Sequence, residues 1–230
     1  MAGLPLFDDH RRRLESRAFF IRMTTRPLSE TQRLVNNRRS LNGVDGRLLF
    51  VRQFLRHPMQ VASLVPSSRF LMRRVLAAAA VERAGLVVEL GPGTGGTTRA
   101  ILDAMPPDGR LLSIELNHRL HRLVDAIRDE RLIAHRGSAC ELPAVLAAHG
   151  FGAADAVVSG IPFSTMPRAV GSGIAAAIAE CLAADGRFVA YQASTRVAEL
   201  CRPHLGIPRV DSELLNIPPM RVFCWERGGG

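Results

Sequence analysis

The stretch that decides the fold is Glu89-Leu90-Gly91-Pro92-Gly93-Thr94-Gly95-Gly96, in a chain of 230 residues. It ends the apolar run Leu86–Leu90, which is typical of a short buried strand, and it leads directly into the helical pattern of Thr97–Ala104. A glycine-rich turn between a strand and a helix lets the backbone approach a bound nucleotide closely. The spacing is G-x-G-x-G after an acid, whereas the dinucleotide fingerprint is G-x-G-x-x-G, a pattern that Gly96 also completes.

Outward from this turn, short apolar runs alternate with helical patterns. The predicted strands are Leu86–Leu90, Arg110–Glu115, Leu132–His135, Ala154–Ser159, Arg187–Gln192, Ile207–Leu215 and Arg221–Trp225. The predicted helices are Thr97–Ala104, His118–Arg128, Glu141–His149, Val170–Ala184 and Thr195–His204. This alternation indicates a Rossmann-like α/β fold whose mostly parallel, seven-stranded sheet has helices on both faces. Because only Asn216-Ile217-Pro218-Pro219 joins the last two runs, we expect the last strand to be antiparallel.

A second acid strengthens the nucleotide interpretation. Glu115 ends the second predicted strand, about 20 residues beyond the glycines, where a carboxylate accepts both ribose hydroxyls of an adenosine. Ligands of open α/β sheets bind outside the carboxyl ends of the strands, which is where the turn and Glu115 both fall. The competing interpretation is a tight turn followed by a helix-capping acid.

The positive charge is concentrated in the first third of the chain. The net charge is +9, and all 30 basic residues are arginine. The first 74 residues contain 15 arginines and five acids, whereas the remainder contains 15 arginines and 16 acids. A nearly neutral body with a cationic first third indicates an anionic partner, either nucleic acid or an anionic membrane surface. A solvated face or a disordered arm is the alternative.

Composition argues against several classes of protein. The four cysteines form no C-x-x-C pair and no leader segment opens the chain, so we expect no disulfide framework, no metal site and a reducing cytoplasm. The longest apolar stretches, such as Val75–Val81, are far shorter than the ~20 residues that a membrane-spanning helix needs.

Three segments follow from these patterns. Residues 1–46 form a basic, flexible N-terminal extension, residues 47–80 form amphipathic helices that bind a membrane and cover the site, and residues 81–230 form the nucleotide-binding domain. In Arg47–His57 the apolar residues other than Leu49 share one side of a helix and the polar residues the other, as in an interfacial helix, although the same stripe could pack on the body. Pro66-Ser67-Ser68-Arg69 predicts a serine-capped helix start that could hold an anion.

Several motifs together resemble one family. They are Phe54-Leu55-Arg56-His57-Pro58, Val65-Pro66-Ser67-Ser68-Arg69, the glycine turn, Ser113-Ile114-Glu115, the run from Asp155 to Phe163, and Asn216-Ile217-Pro218-Pro219. In this order they resemble the bacterial phospholipid N-methyltransferases, class I S-adenosylmethionine-dependent enzymes related to rRNA adenine dimethylases. The resemblance covers residues from about 50 to 226 and not the first 45 or so.

The resemblance implies S-adenosylmethionine as cofactor and assigns residues to it. Glu89 and Gly91 would bind its methionine end, and Gly93 and Gly95 would let the backbone approach. Glu115 would hold the ribose. Gly137-Ser138-Ala139 stands where the family usually has Gly-Asp-Ala, so a hydroxyl or backbone group would accept from the adenine amine. The full expected set is Glu89, Gly91, Gly93, Gly95, Glu115, Leu116, Ser138, Ala139, Ser67 and Ser159.

The fourth strand ends in Ser159-Gly160-Ile161-Pro162-Phe163, where adenine N-methyltransferases have Asn-Leu-Pro-Tyr or a near relative. Without the Asn side chain at Gly160, a nucleobase amine loses its orienting hydrogen bonds. An aliphatic amine needs chiefly deprotonation, a cavity and an in-line approach. The substitution therefore favours an aliphatic amine. The expected catalytic residues are Tyr191, Ser159, Gly160, Ile161 and Pro162, with Tyr191 and Phe163 as rings that contact the ammonium.

These observations predict methylation of a phospholipid amine, most simply phosphatidylethanolamine, at the cytoplasmic face of a membrane. The expected lipid-binding residues are His57, Arg69, Phe163, Tyr191 and Arg196. No spacing selects a general base among His57, His135, Glu141 and Tyr191. We expect no nucleic-acid partner, because the chain has one Tyr, one Trp and few aromatic residues to stack on bases. The alternatives are another amino lipid such as an ornithine lipid, an RNA adenine methyltransferase, and a binding protein without turnover.

Overall fold

Seven strands form one mixed sheet in the computed structural model, which describes residues 68–216 and 219–228. The predictions for residues 1–46, the amphipathic helix at residues 47–57, and the roles of His57 and Ser67 lie outside the described residues. No helix in the described part of the chain has the length and apolar character needed to span a membrane.

The strands are β1 Leu86–Leu90, β2 Arg110–Ile114, β3 Leu132–His135, β4 Ala154–Ser159, β5 Leu182–Gln192, β6 Arg209–Glu213 and β7 Met220–Glu226. The helices are α1 Arg69–Ala78, α2 Gly96–Ala104, α3 His118–Asp125, α4 Leu142–Ala148, α5 Arg168–Cys181 and α6 Arg196–Leu205. Short 3-10 turns occupy Val81–Arg83, Ala139–Glu141 and Phe163–Thr165.

The strand order is β3-β2-β1-β4-β5-β7-β6. Strands β1 to β5 run parallel, and β7 is antiparallel to both β5 and β6. The predicted mostly parallel sheet with an antiparallel last strand is therefore confirmed. Since β1 lies next to both β2 and β4, the ends of these three strands meet at the centre of the carboxyl edge of the sheet.

The predicted boundary between α5 and β5 is wrong. We expected the alanine-rich helix to continue to Ala184, but it ends at Cys181, and Leu182 already has an extended backbone with ψ 140°. Strand β5 then shifts register against β4 between Ala154 and Ala156. Alanine is accepted in either conformation, so the sequence pattern does not mark the change. The predicted strand at Ile207–Leu215 is also shorter, ending at Glu213.

Alternate residues of β1 belong to two separate cores. Val88 and Leu90 pack with α4, α5 and α6, whereas Val87 packs with α1 and α2 on the other face. Such alternation is what a parallel strand covered on both faces requires. The expected helices on both faces of the sheet are thus confirmed.

Helix α1 is the described part of the segment that we expected to form a lid. Ser68 is its N-cap and accepts from the backbone N–H of Leu71, as the serine-capped start predicted. Leu71 and Val75 are completely buried against the sheet. The backbone N–H of Ser68 also donates to Asn216 Oδ1 at 2.9 Å, so the start of α1 is fixed to the turn after β6.

Asp155 holds the starts of two neighbouring strands in register. Its Oδ2 accepts from the backbone N–H groups of Gly85 at 2.8 Å and Leu86 at 2.9 Å. We expect Asp155→Ala to lower the free energy of unfolding by about 1 kcal/mol, because two backbone donors lose a charged acceptor that water partly replaces at this exposed position. Urea denaturation would measure the change, with Asp125→Ala, an exposed carboxylate on α3, as the control. Equal stability of the two variants would contradict this role.

Candidate functional site

The glycine turn after β1 has a left-handed backbone. Gly91 has φ of 72° and Gly93 has φ of 60°, values that residues with a side chain rarely adopt. A Cβ at Gly91 would also meet Cγ1 of Ile161 at 3.0 Å. At Gly93, by contrast, a Cβ would meet nothing within 4 Å, so open space borders the backbone there. The turn therefore combines tight packing at Gly91 with room for a ligand at Gly93.

Glu89 places a buried carboxylate beside this turn. It is 1% exposed, and its Oε2 accepts from the hydroxyls of Thr98 at 2.7 Å and Ser113 at 2.8 Å. Its Oε1 has no hydrogen-bond partner among the described residues. Desolvation by burial raises the pKa of Glu89 to about 7, although the two hydroxyls oppose the shift. One buried oxygen is therefore left without a donor at the carboxyl end of β1.

Glu115, at the end of β2, ties the turn to the next strand. Its Oε2 accepts from the backbone N–H of Gly93 at 3.3 Å, and its Oε1 accepts from that of Asn117 at 2.8 Å. Burial raises its pKa, while these backbone hydrogen bonds lower it. Leu116, the neighbouring predicted residue, is half-buried. Glu115 is thus beside the glycine turn, as its predicted role needs.

The end of β3 leads into a short 3-10 turn. Ser138 and Ala139 are both buried, and the Ser138 hydroxyl accepts from the backbone N–H of Cys140 at 3.2 Å. His135 Nδ1 lies 3.1 Å from His149 Nε2, and burial lowers the pKa of His135. Glu141, another candidate base, is exposed.

At the end of β4, the backbone turns at Gly160 against Tyr191. The Ser159 hydroxyl accepts from the backbone N–H of Ile161 at 3.3 Å, and Ser159 is completely buried. A Cβ at Gly160 would meet Tyr191 Oη at 2.8 Å and the carbonyl oxygen of Gly91 at 2.9 Å. The Tyr191 hydroxyl therefore fills the volume that any side chain at position 160 would need. Pro162, two residues on, is exposed.

The Tyr191 hydroxyl is held by α2. Its Oη lies 3.0 Å from Thr97 Oγ1, and the Thr97 hydroxyl donates to Met72 Sδ at 3.6 Å. Either hydroxyl can donate in this pair: when Thr97 donates to Met72, Tyr191 donates to Thr97 and keeps its own oxygen as an acceptor. Burial raises the pKa of Tyr191 to about 12, so the phenol is neutral near pH 7. Tyr191 can accept or donate a hydrogen bond there, but it cannot serve as a general base because its hydroxyl stays protonated near pH 7.

Phe163 does not lie where we expected. Its side chain is completely buried in the core with α5 and α6, so its ring presents no face to a ligand in this structure. The 3-10 turn Phe163–Thr165 directs the ring inward. Arg196, in contrast, begins α6 just beyond the end of β5, and its Nε is buried without a partner among the described residues. Arg69 is exposed, with its guanidinium 5.1 Å from the Phe70 ring centroid.

Sequence reasoning missed four polar residues of this region. Thr97 is hydrogen-bonded to Tyr191, and Thr98 and Ser113 donate to Glu89. Gln192 donates from Nε2 to the carbonyl oxygen of Ile161 at 2.8 Å. The signal available for the two threonines was their position in the first turn after the glycines. Within the described ranges, no group of three or more His, Cys, Asp or Glu side chains could hold a metal ion.

The residues present fit a nucleoside with a cationic amino-acid end. The unpartnered Glu89 Oε1 suits a cation, the space at Gly93 admits a ligand against the backbone, and Glu115 is the acid beside both.

The chain is similar in sequence and in fold to known methyltransferases. No protein-family model matches the chain. An ornithine lipid N-methyltransferase of Singulisphaera acidiphila is 34% identical over 142 residues, which are 61% of this chain and 74% of that protein. Among solved structures, precorrin-6y C5,15-methyltransferase of Geobacter metallireducens has a TM-score of 0.58 at 15% identity, over 72% of this chain and 91% of that one.

The N-methyltransferase NodS of Bradyrhizobium japonicum has a TM-score of 0.56 at 11% identity, over 69% of this chain and 95% of that one. At such low identities these structures support only the fold of the chain, a seven-stranded sheet with an antiparallel β7. The sequence match extends over most of its curated relative. By both fold and sequence, the chain belongs to the class I S-adenosylmethionine-dependent methyltransferases, as a homologue of an ornithine lipid N-methyltransferase.

Proposed function

We propose that the protein transfers methyl groups from S-adenosylmethionine to the amine of an amino lipid, and that this lipid is an ornithine lipid. The curated relative supports the ornithine lipid over phosphatidylethanolamine, the substrate that we first expected. The single observation that supports an aliphatic amine as the methyl acceptor is the close approach of Tyr191 to Gly160. It leaves no space at position 160 for the asparagine that orients a nucleobase amine.

The cofactor would supply a methyl group activated on a sulfonium. We propose that Glu89 attracts its cationic methionine end through the unpartnered Oε1, and that Glu115 receives the ribose hydroxyls. Gly91, Gly93 and Gly95 would keep the backbone close to it, and Ser138, Ala139, Leu116 and Ser159 would complete the surroundings.

The chain's contribution at the amine is orientation. The Tyr191 oxygen, with its hydrogen directed to Thr97, would accept an N–H of the attacking amine and so direct the nitrogen lone pair. Ser159, Gly160, Ile161 and Pro162 would form the adjoining wall. Alignment and exclusion of water are the forms of catalysis that such a site offers.

The anionic part of the head group would meet Arg196. An ornithine lipid carries a free carboxylate besides its amine, and phosphatidylethanolamine carries a phosphodiester in its place. A guanidinium donates to either anion in a bidentate manner. The half-buried Arg196, with its unpartnered Nε close to the end of β5, is the described cation best placed for this contact. Arg69, exposed on α1, is a second candidate.

The substrate is tested by incubating the purified protein and methyl-labelled S-adenosylmethionine with ornithine lipid, phosphatidylethanolamine or rRNA in separate reactions. We expect label in the ornithine lipid. Label in phosphatidylethanolamine alone would retain the amino-lipid reaction but overturn the choice of lipid, and label in rRNA alone would overturn both. An Arg196→Gln variant should raise KM for the lipid at least about tenfold, since a charged hydrogen bond contributes about 1.5–3 kcal/mol.

Glu89 should make cofactor binding depend on pH. Because its carboxyl titrates near pH 7 in the free protein, the negative charge that attracts a cation grows as the pH rises through that value. We expect the affinity for S-adenosylmethionine to rise between about pH 6 and about pH 8, measured by calorimetry. Glu89→Gln should bind more weakly and lose the part of the rise that Glu89 contributes. Glu180→Gln, which changes an exposed carboxylate near the end of α5, should behave like the unaltered protein.

Tyr191 should affect the rate but not its pH profile. We expect Tyr191→Phe to lower kcat about tenfold, the equivalent of one hydrogen bond, with KM for the cofactor unchanged. The profile should keep its shape because the phenol titrates far above the working range. Gly160→Ala should also lower kcat, since the added methyl displaces the hydroxyl. A shifted pH profile in Tyr191→Phe would indicate that the tyrosine itself transfers the proton.

A further inference from the structure

Two leucines are exposed at the same edge of the sheet as the candidate site. Leu214 is 74% exposed and Leu215 is 66% exposed, in the turn that follows β6. In the antiparallel ladders, Gln192 at the end of β5 faces Arg221, and Glu213 at the end of β6 faces Met220. The turn between β6 and β7 therefore lies at the carboxyl edge of the parallel strands, beside the end of β5.

The start of α1 adds a third exposed apolar side chain. The Ser68 N–H bonds to Asn216, and Arg74 Nε lies 3.2 Å from Glu213 Oε2, so the first turns of α1 are joined to the turn after β6. Phe70 is 39% exposed there. We call Phe70, Leu214 and Leu215 the turn patch.

Three arginines of α1 lie beside the turn patch. Arg69 stacks on Phe70, and both Arg73 and Arg74 are near enough to Glu213 to lower its pKa, behind the larger effect of the backbone hydrogen bond from Leu215. Glu213 is itself buried and paired with Arg74, so its charge is largely neutralised. The same pair offsets the charge of Arg74, so the exposed Arg69 and Arg73 supply the net positive charge on the α1 side of the patch.

We propose that the turn patch inserts into the head-group region of an anionic bilayer, while the arginines of α1 contact anionic head groups. Apolar side chains with a cationic border are the combination that binds a membrane surface. A second copy of the chain is a poorer occupant, because a symmetric contact would bring the arginines of both copies together. The inference rests on the proposed function in one respect: a lipid substrate gives the site a reason to face the bilayer.

Binding is tested by flotation of the full chain with vesicles of phosphatidylglycerol and phosphatidylcholine. The Leu214→Ser/Leu215→Ser variant should bind at least about tenfold more weakly, because two leucines no longer leave water. Ile207→Ser is the matched control: Ile207 is 79% exposed, but it precedes the opposite end of β6. Equal binding of the double variant and the unaltered chain, or an equal loss in the control, would overturn the proposal.

A spectroscopic reading isolates the turn from the rest of the chain. The chain contains one tryptophan, Trp225, which is 2% exposed and contributes a constant background. Leu214→Trp should shift its emission to the blue on adding these vesicles and be quenched by brominated acyl chains, whereas Ile207→Trp should not respond. A silent Leu214→Trp on bound protein would overturn the proposal, as would a double variant whose only change is its oligomeric state.

Turnover separates this inference from the proposed function. The double serine variant should methylate lipid in detergent micelles at the unaltered rate and lose activity on vesicles. If neither protein methylates any amino lipid but the double variant still releases from vesicles, the proposed substrate fails and the membrane contact stands. If both methylate vesicle lipid equally, the membrane contact fails and the proposed function stands.

Discussion

The carboxylate of Glu89 is the constraint around which the site is built. An ionisable group at the centre of a sheet is costly to bury unless hydroxyls or charges satisfy it. Here one hydroxyl from α2 and one from β2 satisfy a single oxygen, which fixes both elements against β1. The other oxygen has no hydrogen-bond partner among the described residues, and this is why we propose that a cation binds beside the glycine turn. The strand order contributes by placing the ends of β2 and β4 on either side.

Much of the fold could be predicted because its signals are local. Apolar runs, helical periodicity and the glycine turn are each contained in a few residues, and they located every strand of the sheet. The end of α5 was missed because alanines carry no preference strong enough to mark where Leu182 becomes extended. The partner of Gly160 was missed for another reason: Tyr191 is distant along the chain, and a missing side chain indicates a space without indicating what fills it.

Some of the site residues could likewise be predicted from sequence and others could not. Glu89 and Glu115 could be placed from sequence because strand ends are readable, whereas the inward turn of Phe163 depends on the 3-10 segment that carries it. The lipid was harder still. Ethanolamine and ornithine head groups both present an aliphatic amine near an anion, so the absent side chain at Gly160, from which we infer an aliphatic amine, carries no information about the anion. A guanidinium such as that of Arg196, at the start of α6, donates to a carboxylate and to a phosphodiester alike, so it does not distinguish the two head groups either.

Strand β7 lies between β5 and β6, and the turn that joins β6 to β7 affects how the sequences of related proteins can change. The ladder from β6 to β7 ends at Glu213 and Met220, and Leu214 and Leu215 beyond it are largely outside the core. Substitutions at Leu214 and Leu215 therefore change what the molecule touches at a small cost in folding stability, while those at the buried Asn216 or at the ends of β1 and β4 disturb buried contacts. Relatives that share the sheet are thus free to acquire new surroundings for their substrates through a short loop, with the cofactor side of the molecule unaltered.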